Sequence, residues 1–170
     1  MLLLSKFYSF CRLYVPIITQ QDLILISQTK SRAMGLDVGN KTIGVAVSDQ
    51  TWMIASAHSL IKRQNLSADI AALIKIIKEY KVSCIVSGWP VNMNGTEGPQ
   101  AQVVKKLIET LLQQHDIPVF LWDERLSTVA VTRTLLEADM SRKRRSEVVD
   151  KMAATFILQG VLDLCRMHKG

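Results

Sequence analysis

An acid stands inside an apolar strand pair near residue 37, and this placement constrains the chain more than any other feature. In Met34-Gly-Leu-Asp-Val-Gly-Asn-Lys-Thr-Ile-Gly-Val-Ala-Val-Ser-Asp49, Leu36 and Val38 read as strand, as does Ile43 to Val47. Gly39-Asn40 reads as the tight reversal between them. A carboxylate near the end of an interior strand costs several kcal/mol unless a partner compensates it. Glycines at 35, 39 and 44 allow another backbone, a metal or a phosphate to come close. Asp37 therefore reads either as a turn-capping residue or as part of an acidic site at a strand end, and its companions must decide.

The rest of the chain reads as one domain. Its 170 residues are 48% hydrophobic and 21% charged, enough length and apolar content for a substantial core. The net charge of +6 favours polyanionic partners without identifying one. Half of the excess lies in residues 1–33, where Lys6, Arg12, Lys30 and Arg32 face only Asp22; beyond them, Arg142-Lys-Arg-Arg145 is the dense basic cluster. Cys11, Cys84 and Cys165 form no CxxC pair, the usage of reduced thiols in a cytoplasmic protein. His58, His115 and His168 lack metal-ligand spacing, which argues against zinc. Charged and amide residues interrupt Met1–Leu4 and Ile24–Ile26, so no run nears the ~20 residues of a spanning helix, and no clean signal peptide is present. Residues 1–32 are expected to form an N-terminal extension and residues 33–170 the domain. The extension either packs partly on the domain, with a short helix ahead of Pro16, or reflects a start codon assigned too early.

Beyond Asp49 a third strand is expected from about Trp52 to Leu60. A helix follows from Ser67, its N-cap, to Tyr80, with Ile70, Leu73, Ile74 and Ile77 at helical spacing. Val82 to Ser87 is a short apolar strand of the kind found inside a covered sheet, and Gly88 to Gly98 a turn-rich loop. A second helix carries Val103, Val104, Leu107, Ile108, Leu111 and Leu112 on one face, and a last strand, Pro118–Trp122, ends in Asp123-Glu124-Arg125. Ser127 caps a helix to about Ala138. After a basic loop, Ser146 caps the closing helix to about Met167, with Met152, Ala153, Phe156, Ile157, Gly160 and Leu164 inward. This order predicts an α/β fold, a mixed sheet with helices on its faces.

Sites in open α/β sheets gather outside the carboxyl ends of the strands. Asp37 ends the first strand, Asp123-Glu124 follows the last, and Asp150 is expected in the first turn of the closing helix. Converging carboxylates repel one another unless a divalent cation lies between them, and oxygen-only ligation suits Mg²⁺ or Mn²⁺. Two such ions would serve phosphodiester cleavage. Each acid also has an ordinary reading: Asp150 favouring its helix dipole, Asp123 as a turn residue or partner of Arg125, and Glu124 paired with Arg125. Their joint placement at element ends favours a site. Arg142, Lys143, Arg144 and Arg145 would hold phosphates on its substrate side or form a solvated loop, and Lys41 sits on the turn after Asp37. Trp52, Trp89 and Trp122 read as core, with Trp89 also able to stack on a base.

Four segments, Gly35 to Asp49, Gly88 to Thr96, Asp123-Glu-Arg-Leu-Ser-Thr128 and Val149-Asp-Lys-Met-Ala-Ala154, occur in an order that resembles the bacterial YqgF family. That family is described as Holliday junction resolvases and as pre-16S rRNA nucleases. The resemblance covers about residues 33–166. It implies an RNase H-like fold with a five-stranded mixed sheet, second strand antiparallel, and helices on both faces. It places the family's acidic residues on Asp37, Glu124 and Asp150; apart from the resemblance, Lys41, Arg125 and Arg142–Arg145 are expected to bind nucleic acid. Thr42 departs from a second basic residue found in many members, and Trp89 from a common leucine.

The implied function is a metal-dependent nuclease, a phosphodiesterase with two Mg²⁺ or Mn²⁺ ions, that trims the 5′ end of pre-16S rRNA in the cytoplasm as a monomer or homodimer. Resolution of four-way DNA junctions, which would need a dimer, is the second reading. A non-catalytic nucleic-acid-binding module is the third. The Asp37 loop also resembles the first phosphate loop of actin-like ATPases, which require two such domains.

Overall fold

The computed structural model describes residues 17–90, 97–123 and 142–168, the last helix by its backbone alone as far as residue 151. Five strands form one sheet: β1 (Arg32–Val38), β2 (Thr42–Ser48), β3 (Ala55–Lys62), β4 (Val82–Trp89) and β5 (Val119–Asp123). Their order is β3-β2-β1-β4-β5. β2 runs antiparallel to both β1 and β3, whereas β4 runs parallel to β1 and β5. The sheet is the mixed one expected, with its second strand reversed.

Alternation along the central strands sends side chains into two separate cores. Met34, Leu36 and Val38 of β1 and Ile85 of β4 pack with helices α2 (Leu66–Tyr80) and α3 (Pro99–Gln114). Ala33 of β1, Cys84 and Val86 of β4, and half-buried Phe120 and Trp122 of β5 face helix α4 (Arg142–Met167) on the other side. Both faces are therefore covered, which is why β4 reads as an almost unbroken apolar run.

Ahead of β1, helix α1 (Gln20–Ser27) begins with a reciprocal Thr19–Asp22 capping box. Its Leu23 is fully buried in the α4-side core, and the Ile18 N–H donates to the Val119 carbonyl at 2.9 Å, lengthening the sheet at its β5 edge. The helix expected ahead of Pro16 lies outside the described residues, as does that from Ser127 to Ala138. No helix among the described residues is long and apolar enough to cross a membrane.

Four local expectations differ from what is found. β3 starts at Ala55, because Asp49 organises the preceding segment: its carboxylate accepts from the N–H groups of Thr51, Met53 and Ile54. α2 is capped by Asn65, whose side chain accepts from the Ala68 N–H at 2.9 Å, so Ser67 is already inside the helix. α4 is already helical at Arg142, ahead of Ser146, since arginine and lysine are good helix formers and nothing there breaks a helix. Arg142–Arg145 are thus helical rather than a loop, and Asp150 lies beyond the first turn. Finally, the buried face of α4 is Ala153, Ala154, Ile157, Leu158, Val161, Leu162 and Cys165, while Met152, Phe156, Gly160 and Leu164 are only partly covered. The reason is Gly35, where a side chain would overlap the helix: an added Cβ would stand 2.7 Å from Leu158 Cβ and 2.8 Å from the Ala154 carbonyl oxygen.

Candidate active site at the carboxyl edge of the sheet

β1, β4 and β5 end at one edge. Their registers pair Leu36 with Ser87, Gly88 with Trp122 and Trp89 with Asp123, so Asp37, one residue before the end of β1, lies near the strand ends Trp89 and Asp123. Asp37 is half-buried, in a strand whose other residues from Ala33 onward are buried. It lies two residues past Gly35 and four past Ala33, on the face toward α4.

The direction of α4 follows from its contacts. Cys165 lies close enough to Cys84, the β4 partner of Ala33, to disfavour its thiolate; burial first and this neighbour second push the Cys84 thiol up to about 12. Ala154 and Leu158 meet Gly35. As β1 advances from 33 to 35, α4 therefore goes back from 165 to 154, so the two run in opposite senses. From Gly35 to Asp37 is about 7 Å of strand; from Ala154 back to Asp150 is one helical turn, about 6 Å. Asp150 thus occupies the row of α4 that comes level with Asp37.

The chain beyond Asp37 is anchored from the opposite face of the sheet. Gly39 N–H closes the turn on the Thr42 carbonyl at 2.8 Å. Gln100 Nε2 donates to the Val38 carbonyl at 2.5 Å, and Arg63 Nη1 to the Gly39 carbonyl at 2.9 Å. The Arg63 backbone N–H donates to the Lys41 carbonyl, also at 2.9 Å. Asp69, only 2% exposed, orients that arginine: its Oδ2 accepts from Arg63 Nε at 2.9 Å and its Oδ1 from the Gln64 N–H at 3.3 Å. Lys41 is exposed on the turn so held.

Sequence reading missed this brace. A partial signal existed, an acid on the inward side of α2 six residues after Lys62-Arg63, whereas the contact between Gln100 and Val38 spans 62 positions and leaves no local trace. Of the paired acids after β5, Asp123 lies with Val119 on the α2–α3 face, away from Asp37, and Phe120 and Trp122 lie on the α4 face. Glu124 and Arg125 fall outside the described residues, and Arg142, Lys143, Arg144, Arg145 and Asp150 are described by backbone only. Among the described residues no group of three or more His, Cys, Asp or Glu could hold a metal ion.

Known proteins agree with this architecture. The family model described as "RuvX: Holliday junction resolvase" matches residues 31–164. A Myxococcus xanthus protein named "Putative pre-16S rRNA nuclease" is 56% identical over 135 residues, 79% of this chain and 89% of that protein. One of the same name from Paramagnetospirillum magneticum is 48% identical over 149 residues, 88% of this chain and 96% of that protein. Among solved structures, Thermus thermophilus RuvC in complex with a Holliday junction substrate superposes with a TM-score of 0.51 at 11% identity, over 81% of this chain and 96% of that chain. That likeness shows the RNase H-like fold. On the extent of the family match and the identity to these relatives, the chain belongs to the RuvX family, the YqgF family of the sequence resemblance.

Proposed function

We propose that this chain is a metal-dependent nuclease that trims the 5′ end of pre-16S rRNA in the cytoplasm, with Asp37, Glu124 and Asp150 as its acidic residues. One observation carries the reading: an apolar central strand carries Asp37 one residue from its end, on the face where a helix running in the opposite sense has Asp150 in the row level with it. The names of the relatives supply the substrate.

The donor set fits hard divalent cations. All three side chains offer carboxylate oxygens only, the chemistry of Mg²⁺ or Mn²⁺ sites, and neither histidine nor thiol belongs to the set. When bound, two such ions activate water and stabilise the leaving oxygen in an in-line displacement. The protein supplies the rest. Asp37 and Asp150 would hold such ions, and Glu124 would serve as a further ligand or orient the attacking water. Hydrolysis joins a water oxygen to phosphorus and breaks one bridging P–O bond, the proton given up by the water balancing the one taken up by the leaving oxygen. Lys41, Arg125 and the Arg142–Arg145 cluster bind the substrate's phosphates. The brace of Arg63 and Gln100 on residues 38–41 holds Asp37 and Lys41 in position before substrate arrives, which removes reorganisation from the reaction.

The test is cleavage of a 5′-extended 16S precursor fragment with Mg²⁺ or Mn²⁺, beside a four-way DNA junction. Asp37→Asn keeps the side chain's shape while removing its charge. It should lower RNA cleavage by roughly two orders of magnitude or more, as losing one group aimed at the reacting charge does, with the melting transition retained. Undiminished cleavage by the folded variant overturns the site, and cutting of the junction alone overturns the substrate.

A further inference from the structure

A groove opens on the α2–α3 side of the Gly39–Lys41 turn, across the sheet edge from the site. Its volume is about 380 Å³, and its polar lining is Asn40, Arg63, Gln64, Asn65, Asp69 and Lys106. Nothing in the proposed chemistry uses it.

Arg63 decides what it can take. A guanidinium carries five N–H donors in a fixed fork. Here Nε is committed to Asp69 and one Nη1 hydrogen to the Gly39 carbonyl, which leaves three donors on a side chain only 18% exposed. Asp69 is fully engaged, one oxygen by Arg63 and the other by the Gln64 backbone. The wall thus holds two cations, Arg63 and Lys106, against one acid already bonded. A bound cation would be repelled, and an apolar ligand would strand the arginine's donors without partners. An oxyanion matches both: the oriented fork can grip two of its oxygens, and Lys106 supplies an exposed point charge. Asn40 lies three residues past Asp37, so the groove begins within ~11 Å of the acidic strand end, a span that a few nucleotides of one strand can cover.

We infer that this groove binds a backbone phosphate of the RNA substrate, a few nucleotides at most from the bond that is cut. The inference rests on the nuclease reading and adds a second point of contact, so that the strand is gripped on both sides of the turn carrying Lys41. Asp69 acts as a positioning residue, through the arginine it orients.

The experiment measures binding of the precursor RNA fragment by fluorescence anisotropy in EDTA over a series of salt concentrations, together with kcat and KM in Mg²⁺. The variant is Lys106→Ala, an exposed position whose loss leaves the core intact. Its control is Lys105→Ala, the preceding residue, which lines a separate pocket with Ile17 and Trp89. Lys106→Ala should weaken binding several-fold, reduce the slope of log K against log salt by about 0.7, the value of one single-strand phosphate contact, and raise KM while kcat stays near wild type. Lys105→Ala should change the slope by less than half as much. Gln64→Ala, which leaves net charge untouched, should also raise KM. Equal effects of the two lysines, or an unaltered slope for Lys106→Ala in an active enzyme, overturn the groove while leaving the nuclease intact. A wild-type protein that neither binds nor cuts the RNA overturns both.

Discussion

Replacing Gly35 by alanine adds one carbon to the tightest contact between helix and sheet. That carbon would stand 2.7 Å from Leu158 Cβ and 2.8 Å from the Ala154 carbonyl oxygen. Carbon atoms pack best at ~3.5–4.0 Å, so the overlap is about 1 Å. Trimming a neighbour cannot relieve it, because one neighbour is backbone and the other a β-carbon that every residue but glycine carries. α4 must lift from β1, and overpacking of this kind costs about 1–3 kcal/mol. For a chain of this size each kcal/mol lowers Tm by about 2–4 °C, so a fall of roughly 2–12 °C is expected. Activity should suffer more than stability. The lifted helix carries Asp150 one turn from the contact, and a misplacement near 1 Å can cost about a hundredfold in rate. Thermal unfolding and RNA cleavage at a temperature where the variant remains folded give the two readouts. Gly160→Ala is the internal control: its new carbon would meet only Trp122 Cζ2, at an ordinary 3.6 Å, and alanine in a helix interior should stabilise by up to about 1 kcal/mol. A Gly35→Ala protein with wild-type Tm and wild-type cleavage would refute the reasoning that this glycine sets the distance between α4 and β1.

Two further predictions concern the frame around the site. Burial works against the charge of Asp49, but hydrogen bonds from the Thr51 side chain and from the backbone of Ile54, Met53 and Thr51 prevail and bring its carboxyl from 3.8 down to about 2. A depressed acid stabilises the fold above its ordinary pKa and loses that contribution as pH falls through the lowered one. Asp49→Ala should therefore cost about 1 kcal/mol at pH 7, the scale of a lost capping side chain, and its deficit should close between pH 4 and 2; urea midpoints that differ equally at pH 7 and pH 2.5 would contradict this. Leu23→Ala should lower stability by about 2–5 kcal/mol, the range for a buried leucine, because Leu23 is fully buried against the α4-side core; a wild-type urea midpoint would mean that α1 does not dock.

The succession of strands and helices was legible because it rests on local signals, whereas the reversed second strand was implied by the family resemblance. Near-continuous apolar runs at 82–87 and 118–122 announce covered strands, and an acid within such a pattern stands out as an exception that asks for a role. What escaped depends on contacts between distant parts. Asn65 and Ser67 are both good caps two residues apart, and sequence alone does not rank them; the structure uses Asn65. Along α4, Met152, Phe156, Gly160 and Leu164 form as plausible an apolar row as Ala153, Ile157, Val161 and Cys165. The close approach at Gly35, met by the Ala154 carbonyl and Leu158 Cβ, fixes which side of α4 faces the sheet. Asp123 and Glu124 look equivalent in sequence, yet the register of β5 turns Asp123 toward the α2–α3 core and away from Asp37.

The strand end that bears Asp37 is thus held from two sides by different physics. On one face, Gly35 lets α4 approach so closely that a single carbon would not fit, and steric contact sets the height of the helix above the strand. On the other, Gln100 and Arg63 fix the carbonyls of Val38, Gly39 and Lys41 through hydrogen bonds of 2.5–2.9 Å, with the arginine itself oriented by a buried carboxylate. Packing responds steeply to added volume and little to ionic strength, while an ion pair with a partly exposed arginine is weakened by salt. The two supports should therefore fail separately: Gly35→Ala raises the helix without freeing the turn, and loss of Asp69 frees the turn without raising the helix. Since both act on the carboxylate through the same short stretch of β1, their effects on cleavage should be coupled although their effects on stability add. A double-mutant cycle reads that difference directly.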